Sequence, residues 1–261
     1  MGILLLTSTS GSPGVTTTAV GLALTWPRSV LLADCDAGAH QSVLAGYLSG
    51  GSADGKGLLR IAEAHRDRRS LTEVVIDQSV PLSVDETACR RLFLPGFARP
   101  SSVGLFAGVW PELADSFAQL GDHGFDVVVD AGRISYHGLP SALVERADVT
   151  ALALRSDLRS IVSARTHLLA LREHPRLRAS ERSLGLIVVG SGQPYSSREI
   201  AKGLGVPVIA EIADDPRAAR HLSDGTRRSR RFDSSRLVRS LHSTSSQLAA
   251  RFETTAELIN R

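Results

Sequence analysis

The residues best suited to chemistry stand near the start of the chain, in a run of small side chains. Residues 8–18 read Ser-Thr-Ser-Gly-Ser-Pro-Gly-Val-Thr-Thr-Thr and follow the apolar segment Ile3–Thr7. The end of this run leads into Thr16–Leu24, an apolar segment with helical spacing. A strand, a small-residue loop and a helix in this order point backbone N–H groups and a helix N-terminus at an anion. The run therefore predicts a phosphate-binding loop.

The loop lacks the lysine that a Walker A phosphate loop carries. A Walker A loop ends in Gly-Lys-Ser/Thr, with the lysine on the phosphates and the hydroxyl on Mg²⁺. Here the triplet is Gly14-Val15-Thr16, so the hydroxyl is kept and the lysine is gone. The candidate nucleotide-binding residues are Gly11, Ser12, Pro13, Gly14, Val15, Thr16 and Thr17. An alternative is that the three threonines from residue 16 only satisfy the free N–H groups at the start of a helix.

Three aspartates follow apolar runs that are typical of buried strands. Asp34 and Asp36 come after Val30–Ala33, and Asp130 ends a second run. Ligands of doubly wound sheets bind beyond the carboxyl ends of the strands, so these carboxylates are expected beside the phosphate loop. The alternative is that Asp34 and Asp36 cap a helix that begins near Gln41.

The elements that must position these residues are short apolar runs that alternate with segments of helical period. Runs without polar alternation are typical of parallel strands covered on both faces. We predict an α/β fold in one domain over residues 1–261, with a doubly wound, mostly parallel sheet of about seven strands and helices on both faces. The predicted strands are Ile3–Thr7, Val30–Ala33, Phe93–Leu94, Val127–Asp130, Val149–Leu154, Leu184–Val189 and Val208–Ile212. The predicted helices are Thr16–Leu24, Leu113–Leu120, Leu158–Leu171, Ser197–Leu204 and one over about 234–259.

In order and spacing, these motifs resemble the ParA/MinD group of P-loop ATPases, whose phosphate loop is a deviant Walker A sequence. The loop, Asp34-Cys35-Asp36 and Asp130 match the family's phosphate loop, its Asp-x-Asp after the second strand and its Walker B aspartate. The likeness continues through Leu204-Gly205-Val206-Pro207-Val208-Ile209 and Asp215-Pro216. The resemblance thus covers most of the chain.

The resemblance implies roles for several residues and a cofactor, ATP or ADP with Mg²⁺. Thr16 would be a ligand of Mg²⁺, Asp130 its outer partner, and Asp36 the residue that positions the attacking water. The signature lysine of the family, which reaches a partner's nucleotide across a dimer, falls on Ser10 of this chain. The Walker lysine falls on Val15.

Two further positions depart from the family. Asp130 is followed by Ala131-Gly132-Arg133 in place of Thr-Pro-Pro, and Gly190 stands where many relatives place an asparagine on adenine. Losing one charge-assisted contact to a phosphate costs about 1.5–3 kcal/mol, and phosphoryl transfer relies mainly on positioning and charge neutralisation. The leading hypothesis is a pseudo-ATPase, with weak nucleotide binding or none, that regulates or scaffolds bacterial septum placement, chromosome partition, or polar secretion and pilus assembly.

The alternative is an active Mg-ATP-dependent enzyme in which an arginine replaces the lysine. Arg133 is the candidate for this replacement, although an ordinary surface arginine is the interpretation we favour there. A dinucleotide site is a weaker match, because Gly11 and Gly14 supply only two of the three glycines of that fingerprint. His40, His137 and His167 have no Cys or carboxylate partners at metal-binding spacing.

The positive charge of the chain is concentrated in one late segment, residues 217–239. The formal net charge is +3, and 28 of the 30 basic residues are arginines. This segment holds eight arginines and two aspartates, whereas residues 1–216 are net negative. Its densest part, Arg227, Arg228, Arg230 and Arg231, is a solvated loop or a surface for nucleic acid phosphates or a protein partner. A non-specific DNA-binding module is therefore a further alternative, which the resemblance favours.

The same sequence bears on partners and location. The final helix carries Glu253 and Glu257 with little basic excess, so we expect no membrane anchor there and packing of its apolar stripe on the body or on a partner. A protein partner is expected, and any homodimer should form without nucleotide. Two cysteines and no run of about eighteen apolar residues predict a cytoplasmic protein without a disulfide framework.

Overall fold

The computed structural model describes residues 1–9, 13–51, 53–83, 89–180 and 183–259, with side chains as far as residue 253. These residues form a sheet of eight strands: β1 (Ile3–Ser8), β2 (Val30–Asp34), β3 (Val80–Pro81), β4 (Arg91–Leu94), β5 (Asp126–Arg133), β6 (Val149–Arg155), β7 (Leu184–Val189) and β8 (Val208–Ile212). Their order across the sheet is β3-β4-β2-β5-β1-β6-β7-β8. Only β3 runs antiparallel to its neighbour, so the predicted doubly wound, mostly parallel sheet is confirmed, with β3 added to the seven predicted strands.

Within the same residues, helices connect the strands. They are α1 (Val15–Thr25), α2 (Ser42–Ala45), α3 (Leu58–Arg66), α4 (Leu71–Asp77), α5 (Trp110–Gln119), α6 (Ser141–Arg146), α7 (Leu158–Glu173), α8 (Pro175–Ala179), α9 (Ser197–Leu204), α10 (Pro216–Asp224) and α11 (Arg236–Ile259). Two 3₁₀ segments lie at Pro100–Phe106 and Leu120–His123. The five predicted helices correspond to α1, α5, α7, α9 and α11. The single-domain organisation stays a prediction.

Helices cover both faces of the sheet because its strands are apolar on both sides. Along β1, Ile3 and Leu5 belong to one buried cluster, and Leu4 and Leu6 belong to the other. The same alternation divides β2 between the two clusters. Successive side chains of a strand point to opposite faces, so a strand without polar residues must be covered twice. The absence of alternation in the sequence thus has a direct structural cause.

Helix α11 packs its apolar stripe on the body of the molecule, mainly against α1. A Cβ atom added to Gly21 of α1 would lie 2.5 Å from a methyl carbon of Leu241, so only glycine allows this close approach. Further along α11, the ring of Phe252 lies 6.0 Å from that of Trp26. None of the described helices combines the length and the apolar character that crossing a membrane requires.

Three strands bring the predicted site residues to one edge of the sheet. The strands β2, β5 and β1 are parallel neighbours, and Asp130 of β5 is paired in register with Asp34 of β2 and with Leu6 of β1. Their carboxyl ends therefore meet at one edge, directly below the start of α1. This edge is where a ligand of a doubly wound sheet binds.

Candidate nucleotide site

The loop between β1 and α1 presents the free end of a helix to a cleft. Gly14 has φ +84°, a left-handed conformation that suits glycine, and its carbonyl accepts a hydrogen bond from the N–H of Thr18 at 2.7 Å. No described side chain caps α1, which leaves the first N–H groups of the helix open to an anion. Pro13 precedes Gly14, whereas Ser10, Gly11 and Ser12 lie outside the described residues.

The cleft brings most of the predicted site residues together. It has a volume of about 630 Å³ and lies between the loop, the residues after β2 and the end of β5. The predicted residues in its wall are Pro13, Gly14, Val15, Thr16, Thr17, Asp36 and Arg133. Asp130 lies deeper and is only 1% exposed.

Val15 stands at the position of the missing lysine, and its environment is apolar. The side chain is 6% exposed and belongs to the buried cluster that α1 and α11 share. The two lysines of the chain cannot substitute for it. The ammonium of Lys56 donates to the carbonyl of Ser79, at 3.3 Å, and Lys202 lies on α9. Any cation on a phosphate at this loop must therefore be an arginine, a histidine or a metal ion.

The carboxylates below the loop repel one another in a buried setting. Burial, and after it the neighbouring charge of Asp130, raises the pKa of Asp34 to about 8. The hydrogen bond that its carboxylate accepts from the N–H of Asp36 lowers this pKa in part. Burial also raises the pKa of Asp130 to about 6, although the Thr16 hydroxyl and the Gly132 N–H both donate to its carboxylate and lower this pKa. The Gly132 bond measures 2.9 Å. Desolvation disfavours the charged form of each group.

This set of oxygen ligands fits a hard divalent cation. Mg²⁺ is bound by carboxylates together with hydroxyl and phosphate oxygens, and Thr16 already touches Asp130. A cation at this point would offset the repulsion between Asp34, Asp36 and Asp130. Within the described residues, no group of three or more His, Cys, Asp or Glu side chains is placed to hold a metal ion. Thr16 and Asp130 would therefore suit the Mg²⁺ that the resemblance implies only together with phosphate or water oxygens.

The carboxylate of Asp36 is held by contacts within the short segment that follows β2. One of its carboxylate oxygens accepts the N–H of Gly38 at 2.8 Å, and the other lies 2.7 Å from Nδ1 of His40. The alternative that Asp34 and Asp36 cap a helix is wrong, because α2 begins after Gln41 and no described side chain caps it. The sequence analysis gave His40 no carboxylate partner, and the contact with Asp36, four residues earlier, corrects this and makes His40 part of the site.

The chain matches known proteins in its three-dimensional structure. No protein-family model matches the chain, and no curated protein matches it. Many solved structures match, and three of them are compared with this chain over nearly their full length. A ParA family ATPase from Chlorobium tepidum TLS is 16% identical over 94% of this chain and 98% of that chain, with a TM-score of 0.74.

The other two structures extend the match to cell division and plasmid partition. The MinD protein of the Aquifex aeolicus MinC:MinD complex is 15% identical over 96% of each chain, with a TM-score of 0.69. A plasmid partition protein from Borrelia burgdorferi B31, bound to AMPPNP, is 14% identical over 96% of this chain and 99% of that chain, with a TM-score of 0.66. This protein has the ParA/MinD fold.

Within the ParA/MinD fold, the chain carries two arginines beside the phosphate loop. Arg133 is exposed in the wall of the main cleft, next to the loop. Arg155, at the end of β6, was not identified from the sequence. It lines a second cavity of about 280 Å³ on the other side of the loop, together with Gly14 and Thr17. Its guanidinium pairs with the carboxylate of Asp214 at 3.1 Å.

Gly190 lies at the end of β7, beside this second cavity. Its φ of +73° suits glycine, and a Cβ atom added there would lie 3.2 Å from the Cβ of Asp214. The Gly190 carbonyl accepts a hydrogen bond from the Ser156 hydroxyl at 2.6 Å. An asparagine at this position would therefore have to adopt the left-handed conformation and shift Asp214 slightly.

The clustered arginines Arg227, Arg228, Arg230 and Arg231 lie in the loop between α10 and α11. Their surroundings differ. Arg228 pairs with Asp233 and lies over the Phe232 ring, 5.7 Å from its centre. Arg230 and Arg231 instead line a separate concave surface. Arg227 is exposed.

Proposed function

We propose that this protein is a ParA/MinD-fold pseudo-ATPase that acts through protein partners in the cytoplasm. It would hydrolyse ATP weakly or not at all and would serve as a regulator or scaffold in septum placement, chromosome partition, or polar secretion and pilus assembly. The observation that carries this proposal is the apolar, buried Val15 at the lysine position, in the wall of a cleft that Asp36 also lines.

The electrostatics of the cleft support weak nucleotide binding. A polyphosphate at the loop would face Asp34, Asp36 and Asp130 without the lysine that normally offsets them. The loss of that one charge-assisted contact weakens binding by about 1.5–3 kcal/mol, and the loss in the transition state is larger because the developing charge is greater there. Mg²⁺ at Thr16 and Asp130 would restore part of the balance.

The solved relatives support a partner-directed role. MinD of Aquifex aeolicus is seen in a complex with MinC, and the partition protein of Borrelia burgdorferi is seen with AMPPNP. Under this proposal, the chain keeps the fold and binds a protein partner without depending on ATP hydrolysis. Any homodimer of this chain would then form without nucleotide.

The test is calorimetric titration of ATP and ADP, each with Mg²⁺, into the natural protein and into a Val15→Lys variant. We expect no binding or weak binding by the natural protein and no measurable turnover. Circular dichroism on Val15→Lys checks that a lysine at this buried position still allows folding. Tight binding with Mg²⁺-dependent turnover in the natural protein would overturn the proposal.

An active ATPase is the second candidate, and the arginines beside the loop favour it. Arg133 and Arg155 flank the loop on its two sides, and Thr16 and Asp130 keep the arrangement expected of a Mg²⁺ site. Under this alternative, Asp36→Ala abolishes turnover and Arg133→Ala reduces it. Turnover that ignores Asp36→Ala would point to a contaminating enzyme.

A DNA-binding module is the third candidate, supported by the exposed arginines after α10. Binding to a duplex through phosphate contacts weakens steeply with salt. Replacement of Arg227, Arg228, Arg230 and Arg231 by alanine should then weaken binding and flatten its salt dependence. Affinity that ignores both salt and the four substitutions would remove this candidate.

A further inference from the structure

A concave surface lies between the N-terminal ends of α10 and α11, away from the main cleft. Its volume is about 510 Å³. Five arginines line it, from α10, from the loop and from α11: Arg217, Arg230, Arg231, Arg236 and Arg239. Among the described residues that line it, Asp215 is the only acidic one, and its carboxylate accepts the N–H of Ala218 at 3.1 Å as the cap of α10. We call this surface the arginine cavity.

The positive charge of the arginine cavity is not offset by ion pairs within the described part of the chain. None of its five guanidinium groups forms an ion pair with a described residue. Other arginines of the chain do, such as Arg28 with Asp126 and Arg155 with Asp214. Like charges that converge on one concavity repel one another, so an anion bound there relieves an unfavourable arrangement.

The floor of the arginine cavity strengthens its field. Phe232 and Ala218 form an apolar base and are 9% and 7% exposed. Low-dielectric walls focus the field of the charges around them. In addition, the 24-residue helix α11 begins at Arg236, so the positive end of its dipole lies here, although the Ser235 hydroxyl accepts the N–H of Val238 at 3.2 Å.

We propose that the arginine cavity binds a small, multiply phosphorylated molecule. Guanidinium groups match phosphate oxygens with two parallel hydrogen bonds, and five of them can contact several phosphates at once. The volume lies within the range of small-ligand sites, about 300–1,000 Å³. The proposal goes beyond the nucleotide site, because none of the described residues of the phosphate loop lines the arginine cavity.

The shape of the arginine cavity favours a small molecule over duplex DNA. A duplex needs basic side chains spread over an exposed surface that follows its backbone, whereas these five converge on one concavity. Arg228, the cluster member that would extend such a surface, is tied to Asp233 and lies over Phe232. The arginine cavity thus shares Arg230 and Arg231 with the run of arginines in the sequence, and its other three arginines come from the two helices.

The experiment is calorimetric titration of sodium tripolyphosphate into the full-length protein without Mg²⁺. We expect one binding site on the natural protein. An Arg230→Ala/Arg236→Ala double variant should bind about 100-fold more weakly, since each charge-assisted contact contributes about tenfold. The matched control is Arg165→Ala/Arg178→Ala, which removes the same charge from exposed positions outside the arginine cavity and should leave affinity unchanged. Thermal melting of both variants checks the fold.

Any of four outcomes would overturn the proposal. The first is that tripolyphosphate gives no heat at millimolar concentration. The second is that it binds the Arg230→Ala/Arg236→Ala variant as well as the natural protein, which would place it at another site. Equal losses in both double variants would show a response to overall charge only. Displacement of tripolyphosphate by a short DNA duplex, with duplex binding weakened by Arg230→Ala/Arg236→Ala and not by the control variant, would assign the surface to nucleic acid instead.

Discussion

Asp34 and Asp130 are direct register partners on the adjacent parallel strands β2 and β5, and both are buried. Burial disfavours the charged form of each carboxylate and raises the pKa of both. The charge of Asp130 raises the pKa of Asp34 further. The hydrogen bonds that Asp130 accepts from the Thr16 hydroxyl and the Gly132 N–H lower its pKa, but burial still holds that pKa at about 6.

This pair predicts that the protein becomes less stable as the pH rises from about 4 to 8. An unfolded Asp loses its proton near its ordinary pKa of 3.8, whereas folded Asp130 keeps it to about 6 and folded Asp34 to about 8. Over that window the folded state binds more protons than the unfolded state, so the free energy of unfolding falls with pH, by at most about 1.4 kcal/mol per unit for each group. Above the pKa of Asp34 the pair contributes no further change.

The measurement is urea unfolding at pH 5.5 and pH 8 for the natural protein and for Asp34→Asn. Asparagine keeps the shape and the acceptor oxygen but not the charge, so the variant should be more stable at pH 8 and should show a flatter pH dependence. Asp122→Asn, outside the buried core, is the control and should follow the natural protein. Greater stability of the natural protein at pH 8 than at pH 5.5 would contradict the prediction.

Gly132→Ala should destabilise the fold and displace Asp36. A Cβ atom at Gly132 would lie 2.2 Å from a carboxylate oxygen of Asp36, and the φ of +59° disfavours alanine as well. Gly138 provides a matched control, because its φ is +79° but nothing lies within 4 Å of an added Cβ. We expect Gly138→Ala to cost about 1 kcal/mol, and Gly132→Ala to cost more, about 2–4 kcal/mol. Equal losses in chemical denaturation would show that the contact with Asp36 is unimportant.

The sheet could be predicted from the sequence because its strands carry their own signal. Runs such as Val127-Val128-Val129 are apolar on both faces, and each of the seven predicted strands is present, with ends within a few residues. Residues 50–100 were harder, since α3 and α4 are short and lie among glycines and prolines. The two-residue β3 carries no periodicity at all. Its position depends on pairing with β4, a long-range contact.

The candidate site was predictable only where residues are close in sequence. The loop and the three aspartates could be predicted from motifs. The fold places the described loop residues and Asp36 in the wall of one cleft, whereas Asp34 and Asp130 are buried. The ion pair between Arg155 and Asp214 joins residues 59 positions apart, so no local sequence pattern predicts it. Likewise, the arginine cavity adds Arg217, Arg236 and Arg239 to part of the sequence cluster, because two helix ends converge there.

Asp126→Ala should be among the most destabilising substitutions outside the site. Its buried carboxylate accepts hydrogen bonds from the N–H of Gly2 and the indole N–H of Trp26, both at 2.7 Å, and pairs with Arg28. Removing one partner of a buried pair leaves unpaired groups and costs about 3–5 kcal/mol.

The control for Asp126→Ala is Asp115→Ala, which breaks an ion pair with Arg146 at the surface. Exposed pairs contribute about 0–1 kcal/mol, so the melting temperature should change little. A similar small effect for Asp126→Ala would mean that water replaces the lost carboxylate at Trp26 and Gly2. Guanidinium unfolding of both variants distinguishes these results.

The mass of the protein in solution should not respond to ATP. In the ParA/MinD family, the signature lysine reaches across a dimer to the partner's nucleotide, and this chain has Ser10 at that position and Val15 at the Walker position. Without either cation, bound ATP gains no contact from a second subunit, so it has no differential affinity for the dimer and cannot shift the equilibrium. Light scattering with Mg-ATP and with Mg-ADP should therefore give the same mass as the protein alone. A doubling of the mass with Mg-ATP but not with Mg-ADP would contradict this prediction and show that another residue performs the role of the lysine. Arg133→Ala would then be the first variant to test.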